Sequence, residues 1–163
     1  MEFDLSIIIP SYNEITTISV VLKKINSLPF ASKIEVIVID DGSEDGTYEY
    51  LNTISDTFQY KLIVLKNSEN KGKGAAIRMG IIYASGKYLI VQDADMEYDP
   101  SNITVIYEKL LHSGCDAVYG SRLLSDNEIF NKFYLYGNIL LTFLINFLFG
   151  SRYTDSYTGY KAF

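Results

Sequence analysis

Five short apolar runs, with stretches of helical periodicity between them, constrain this chain more than any other feature. The runs are residues 5–9 (LSIII), 34–39 (IEVIVI), 62–65 (LIVL), 88–91 (YLIV) and 117–119 (AVY). They are continuous rather than alternating, which suits strands covered on both faces, as in a parallel sheet. Between them, Ile15, Ile18, Val21, Leu22 and Ile25 fall on one helical face. So do Ala76, Ile77, Gly80, Ile81 and Ala84, and again Ile103, Ile106, Tyr107, Leu110 and Leu111. Ser101, after Pro100, is the expected N-cap of the last of these helices, and Gly114 its stop. Strand alternating with helix predicts βαβ units and an α/β, mostly parallel sheet flanked by helices.

Composition narrows the function classes. The 163 residues fit a single domain over 1–163, and 48% hydrophobic residues can fill its core. A net charge of −6 is the opposite of the basic stripe that binds nucleic acid, so no nucleic-acid partner is expected. The lone Cys115 cannot form an intramolecular disulfide and reads as a structural residue. His112, also alone, excludes a multi-histidine metal site and reads as a surface residue. The start, MEFDLSIIIPSYNE, has an early acid and no basic segment, so no secretory signal is read and a cytoplasmic location is expected.

In open α/β sheets ligands bind beyond the carboxyl ends of the strands. That rule selects three loops, 10–14, 40–46 and 93–99. The last, within QDADMEYD, carries Asp93, Asp95, Glu97 and Asp99 directly after an apolar strand. If its backbone stays extended, Asp93, Asp95 and Glu97 point the same way. Converging carboxylates repel unless a cation sits among them, and oxygen ligands suit Mg2+ or Mn2+. A calcium-binding EF-hand loop fails here, because its glycine and terminal acid positions hold Tyr98 and Thr104. A glycosidase carboxylate pair and a plain solvated loop stay open at this point.

The other two strand ends are less specific. DDGSEDGT brings Asp40 and Asp41 to a strand end, with Gly42 and Gly46 for the turn and Asp45 or Thr47 as helix cap. A carboxylate there can accept hydrogen bonds from a ribose or a base edge, or merely shape a turn. NKGKGAAIRMG sets Lys71, Lys73 and Arg78 around Gly72 and Gly74. It lacks the GK[ST] ending of a P-loop, and Ile77 stands where a dinucleotide fingerprint has its third glycine. Small residues at a helix start still let a phosphate approach backbone amides. GSR, at 120–122, places Arg122 where it can clamp a diphosphate. Finally, residues 133–149 carry no charge, and Asn138, Thr142 and Asn146 draw a polar stripe along this apolar segment. It reads as a core or interfacial helix rather than a membrane span.

Together, IIIPSYNE, VIDDGSEDGT, NKGKGAAIRMG, QDADMEYDP, YGSR and TDSYTGYKAF resemble, in content and order, the motifs of family 2 glycosyltransferases of GT-A fold. The likeness is strongest toward the dolichyl- or polyprenyl-phosphate mannose and glucose synthase group and runs over essentially the whole chain. The resemblance implies that Pro10, Tyr12 and Glu14 line a nucleotide pocket and that Asp41, with Asp40 as second choice, faces the base or ribose. It puts Lys73 in the donor site, makes Asp93 and Asp95 the DxD pair, and adds Glu97 as a further ligand of Mg2+ or Mn2+. Arg122 is implied to contact the diphosphate or the acceptor, Asp155 to sit beside the acceptor, and Lys161 to anchor an acceptor phosphate.

The implied activity is inverting transfer of a hexose from a GDP- or UDP-sugar donor to a polyprenyl or dolichyl phosphate, with peripheral contact at the cytoplasmic face of a membrane. Relatives of this kind continue past the position of Phe163, so the chain reads as short at its C-terminus. It is then a truncated product, a minimal enzyme, or a non-catalytic relative or partner subunit that still binds nucleotide sugar. Sugar-phosphate nucleotidyltransferases share the α/β plan but place a Gly-rich, Arg-containing loop where this chain has PSYNE.

Overall fold

A computed structural model describes residues 3–121, 132–156 and 158–163. The elements run β1 (Leu5–Ser11), α1 (Ile18–Asn26), β2 (Ile34–Asp40), α2 (Thr47–Ile54), β3 (Lys61–Lys66), α3 (Lys73–Tyr83), β4 (Tyr88–Val91), α4 (Ile103–His112), β5 (Val118–Tyr119), α5 (Lys132–Phe149) and β6 (Lys161–Ala162). They form one sheet in the order β3-β2-β1-β4-β6-β5. The pairs β1–β2, β1–β4 and β2–β3 are parallel, and β6 runs antiparallel between β4 and β5. The expected mostly parallel α/β sheet is present.

The continuous apolar runs behave as two-sided strands. Leu5, Ile7, Ile8 and Ile9 of β1 and Ile34, Val36, Ile37, Val38 and Ile39 of β2 are all fully buried. Alternate residues serve different layers. Ile7, Ile9, Val36 and Val38 join Val21, Leu22 and Ile25 of α1 and Ile106 and Leu110 of α4 on one face. Ile8, Ile37 and Ile39 meet Ala76 of α3 on the other.

Several local expectations shift. Ile15 lies before α1, because its amide is taken by Asp45 Oδ2 at 3.1 Å instead of entering the helix. Small Ala76 and Gly80 bring α3 close to the sheet, which leaves Ile81 half exposed. Leu111 likewise faces outward at the end of α4. Ser101 is not the cap of α4, whose N-cap is Asn102; Asp99 instead caps a short 3-10 turn over 100–102, its carboxylate accepting from Ser101 N at 2.9 Å. Gly114 does follow the helix in a left-handed conformation. Cys115 is exposed and unpaired rather than packed, whereas His112 is at the surface as expected.

Helix α5 is amphipathic in the reverse sense of a surface helix. Its polar stripe faces the protein: Asn138 donates to Asp155 Oδ1 at 2.8 Å, Thr142 Oγ1 lies 2.9 Å from Ser156 Oγ, and Asn146 Nδ2 donates to Tyr153 O at 2.8 Å. Leu140, Phe143, Phe147, Leu148 and Phe149 are exposed. Among the described residues no helix is long and apolar enough to cross a membrane.

Candidate active site at the carboxyl end of the sheet

Three loops from parallel neighbours β1, β2 and β4 end on one cleft because their strands end side by side. Ser11 pairs with Asp40 at the tops of β1 and β2, and Ile8 pairs with Val91 of β4. The first two loops are laced together. Asn13 N donates to Ser43 Oγ at 2.9 Å, Glu44 N to Asn13 Oδ1 at 3.0 Å, and Glu14 N to Thr47 Oγ1 at 3.1 Å. Asn13 adopts a left-handed φ of 56° to make these bonds, a conformation asparagine tolerates. Asp45 Oδ1 accepts from Thr47 N and Oγ1 just ahead of α2, whose N-cap is Gly46 rather than Asp45 or Thr47. Partial burial opposes ionisation of Asp45, but the bonds from Thr47 and Ile15 prevail and hold its carboxyl below the usual value.

The third wall is the segment before α3, held by Asp41. Its carboxylate accepts from Asn67 Nδ2 at 2.6 Å, Lys71 N at 3.1 Å and Gly72 N at 2.7 Å. Two amides just ahead of α3, those of Lys71 and Gly72, are therefore bonded to Asp41. Gly42 lets this segment lie against the β2 turn: a Cβ there would stand 2.7 Å from the Glu69 carbonyl carbon, and its φ of 78° is left-handed.

The acidic loop converges, though not by extended backbone. Met96 takes a left-handed φ of 66°, and Asp95 Oδ1 accepts from Glu97 N at 2.9 Å, so the segment folds into a turn. Buried Gln92 pins that turn, donating from Nε2 to Asp93 O at 3.0 Å and Tyr98 O at 2.9 Å. One carboxylate oxygen from each of Asp93, Asp95 and Glu97 then lies within 4.8 Å of the others. Asp95 and Glu97 are exposed, whereas the Asp93 side chain is 11% exposed. It faces Lys73, whose ammonium stands 2.5 Å from Asp93 Oδ1. Gly159 closes the back: a Cβ there would come 2.8 Å from Asp93 Oδ2 and 3.4 Å from Lys73 Nζ.

The result is an open cleft of about 370 Å3. Pro10, Ser11, Tyr12 and Glu14 line it from the first loop, and Asp41 from the second. Asn70, Gly72 and Lys73 line the third wall, and Asp93, Ala94, Asp95 and Glu97 the fourth. A divalent ion fits this donor set: three hard oxygen groups converge, and an ammonium already stands in for a cation at Asp93.

Not every anticipated residue is in the cleft. Asp40 is fully buried below it, with Oδ2 accepting from Ser43 N at 3.2 Å. Asp155 is 2% exposed and is bonded to α5. Lys161 sits on β6 with its ammonium 5.4 Å from the centre of the Tyr119 ring. Arg122 lies outside the described residues. Gln92, Asn13, Asn67 and Gly159 shape the site without having stood out in the sequence. Asn13, inside the 10–14 loop, Gln92, next to the acidic run, and Gly159, inside TGYK, carried a positional hint; Asn67 did not.

Residues 6–163 match the family profile described as Glycosyl transferase family 2. A UDP-N-acetylglucosamine–dolichyl-phosphate N-acetylglucosaminyltransferase of Methanococcus voltae is 32% identical over 174 residues, covering 96% of this chain and 68% of its own. A mannosyltransferase from Pyrobaculum calidifontis, solved in complex with GDP-Man and Mn2+, superposes with a TM-score of 0.65 at 26% identity, over 72% of this chain and 35% of that one. The glucosyl-3-phosphoglycerate synthase of Mycobacterium tuberculosis shares the fold at a TM-score of 0.70 and 20% identity, over 97% and 55% of the two chains. This chain spans between 30% and 68% of the length of such curated relatives.

Proposed function

The chain belongs to glycosyl transferase family 2, and on that premise we propose that it moves a hexose from a GDP- or UDP-linked donor to a polyprenyl or dolichyl phosphate, with inversion. The convergence of Asp93, Asp95 and Glu97 within 4.8 Å, at a cleft floored by Pro10, Ser11 and Tyr12, carries this reading. Asp93, Asp95 and Glu97 hold Mg2+ or Mn2+, which supplies Lewis-acid charge to the leaving diphosphate. Tyr12 and Glu14 flank the nucleoside, and Asp41 shapes the wall against it. Lys73 and Arg122 add positive charge toward the diphosphate.

A phosphate acceptor is already anionic and attacks with little help from a base. Asp155 then orients the acceptor side, where it ties residues 151–156 to α5, and Lys161 is the reserve contact for the acceptor phosphate. The acceptor's lipid runs along the exposed apolar face of α5, which gives peripheral contact with the cytoplasmic side of a membrane. The Methanococcus voltae relative, named for a dolichyl-phosphate acceptor, supports this choice.

The test is transfer of labelled sugar from UDP-Glc, UDP-GlcNAc and GDP-Man to dolichyl phosphate, with Mn2+ and with chelator. The expected result is lipid-extractable label from one donor, lost with chelator and in Asp95→Ala. No label from any donor, with Mn2+ bound and the fold intact, would overturn the transfer reading and leave a nucleotide-sugar-binding relative.

A further inference from the structure

The cleft is strongly unbalanced in charge. Five carboxylates line it, from Glu14, Asp41, Asp93, Asp95 and Glu97, against one cation, Lys73, among the described residues. That cation is committed to Asp93 at 2.5 Å. The amides of Lys71 and Gly72, just ahead of this helix, are bonded to Asp41, so these two are not open to an anion and the ammonium is the charged donor at this wall. The two partners differ in freedom. Asp93 is 11% exposed and backed by Gly159, whereas Lys73 is 50% exposed at the first residue of α3. A half-exposed lysine can swing on its four-carbon stem, whereas the buried carboxylate stays in place.

From this we infer that Lys73 is a resident counter-ion that competes with the divalent ion for Asp93 and, once displaced, is handed to the diphosphate of the donor. The lysine thereby couples the two ligands. Without nucleotide, a divalent ion must displace the ammonium from Asp93 and tolerate it nearby. With nucleotide bound, the phosphates accept the ammonium, and the carboxylate is released to the metal. The linkage is reciprocal, so each ligand tightens the other. This deepens the proposed function and rests on its divalent-ion site.

The experiment is a Mn2+ titration of the full chain, read by calorimetry and by the electron paramagnetic resonance of free Mn2+. Wild type, Lys73→Met and Lys73→Gln are compared, with circular dichroism as the check on fold. Without nucleotide, both variants are expected to bind Mn2+ roughly threefold to tenfold more tightly, since a partly exposed ion pair no longer opposes the metal. The same variants are expected to bind UDP or GDP roughly tenfold more weakly in the presence of Mg2+, as a charge-assisted contact is lost. A lysine that only stabilised the fold would not move the two affinities in opposite directions. Equal or weaker Mn2+ binding in both folded variants overturns the counter-ion role while leaving the metal site standing. Absence of Mn2+ binding in wild type and variants alike overturns the site and the counter-ion role together.

Discussion

Glu35 and Asp93 are both acids withdrawn from solvent, at opposite ends of the same sheet. Glu35, near the start of β2, is 1% exposed, and one of its oxygens accepts from Ser6 Oγ at 2.6 Å, Ser85 N at 2.6 Å, Ser85 Oγ at 3.0 Å and Gly86 N at 3.2 Å. All its donors are fixed parts of the chain. Asp93, beyond the end of β4, instead faces a lysine that can leave and a cleft that is open. Burial alone therefore does not mark a functional carboxylate. What separates the two is whether the compensating donors are built in or exchangeable.

The contrast can be broken from either end. Asp93→Ala is expected to lower the rate of sugar transfer about 1,000-fold or more, while shifting stability by less than about 1 kcal/mol; steady-state kinetics and urea unfolding read the two. Glu35→Ala is expected to do the reverse, costing about 3 kcal/mol by loss of buried hydrogen bonds. Its Mn2+ and nucleotide affinities at low temperature should match wild type; if they fall as in Asp93→Ala, the division between the two ends is wrong.

Gly159→Ala sharpens the comparison, because its Cβ would press to 2.8 Å from Asp93 Oδ2. About tenfold weaker Mn2+ binding is expected by calorimetry, as for other changes beside a metal ligand. The smallest effect concerns Asp99. Hydrogen bonds from Lys24, at 2.7 Å, and Ser101 hold its carboxyl below its ordinary value of 3.8. A depressed carboxyl contributes stability that is present above its unfolded value and is lost as the pH falls through its folded value. The advantage of wild type over Lys24→Met should thus be visible at about pH 6 and fade as the pH falls below the ordinary carboxyl value, amounting to under about 1 kcal/mol for so exposed a pair. Urea unfolding across that range measures it.

The strands that position the cleft were legible because burial on both faces leaves continuous apolar runs, as in residues 5–9 and 34–39. The acidic loop was legible because four acids in seven residues stand out after such a run. Its geometry was not: the left-handed Met96 and the two bonds from Gln92 are tertiary facts with no periodic signature. β6 was missed for a related reason. It has two residues, and its partners, Ile90 and Val118, are distant in sequence. The role of Asp41 was only half legible. Its place at a strand end was plain, but the contacts with Asn67, Lys71 and Gly72 depend on how the segment after β3 packs. The polar stripe of α5 was visible, and only coordinates could say that it turns inward.

The place of β6 orders events during synthesis. β4 and β5 emerge from the ribosome well before the residues that bridge them, and until 161 and 162 arrive the right-hand side of the sheet has no seam. Gly159, the backstop of Asp93, arrives on the same stretch. A nascent chain can thus shape the walls built on β1 and β2 first and back Asp93 only once this later segment has arrived.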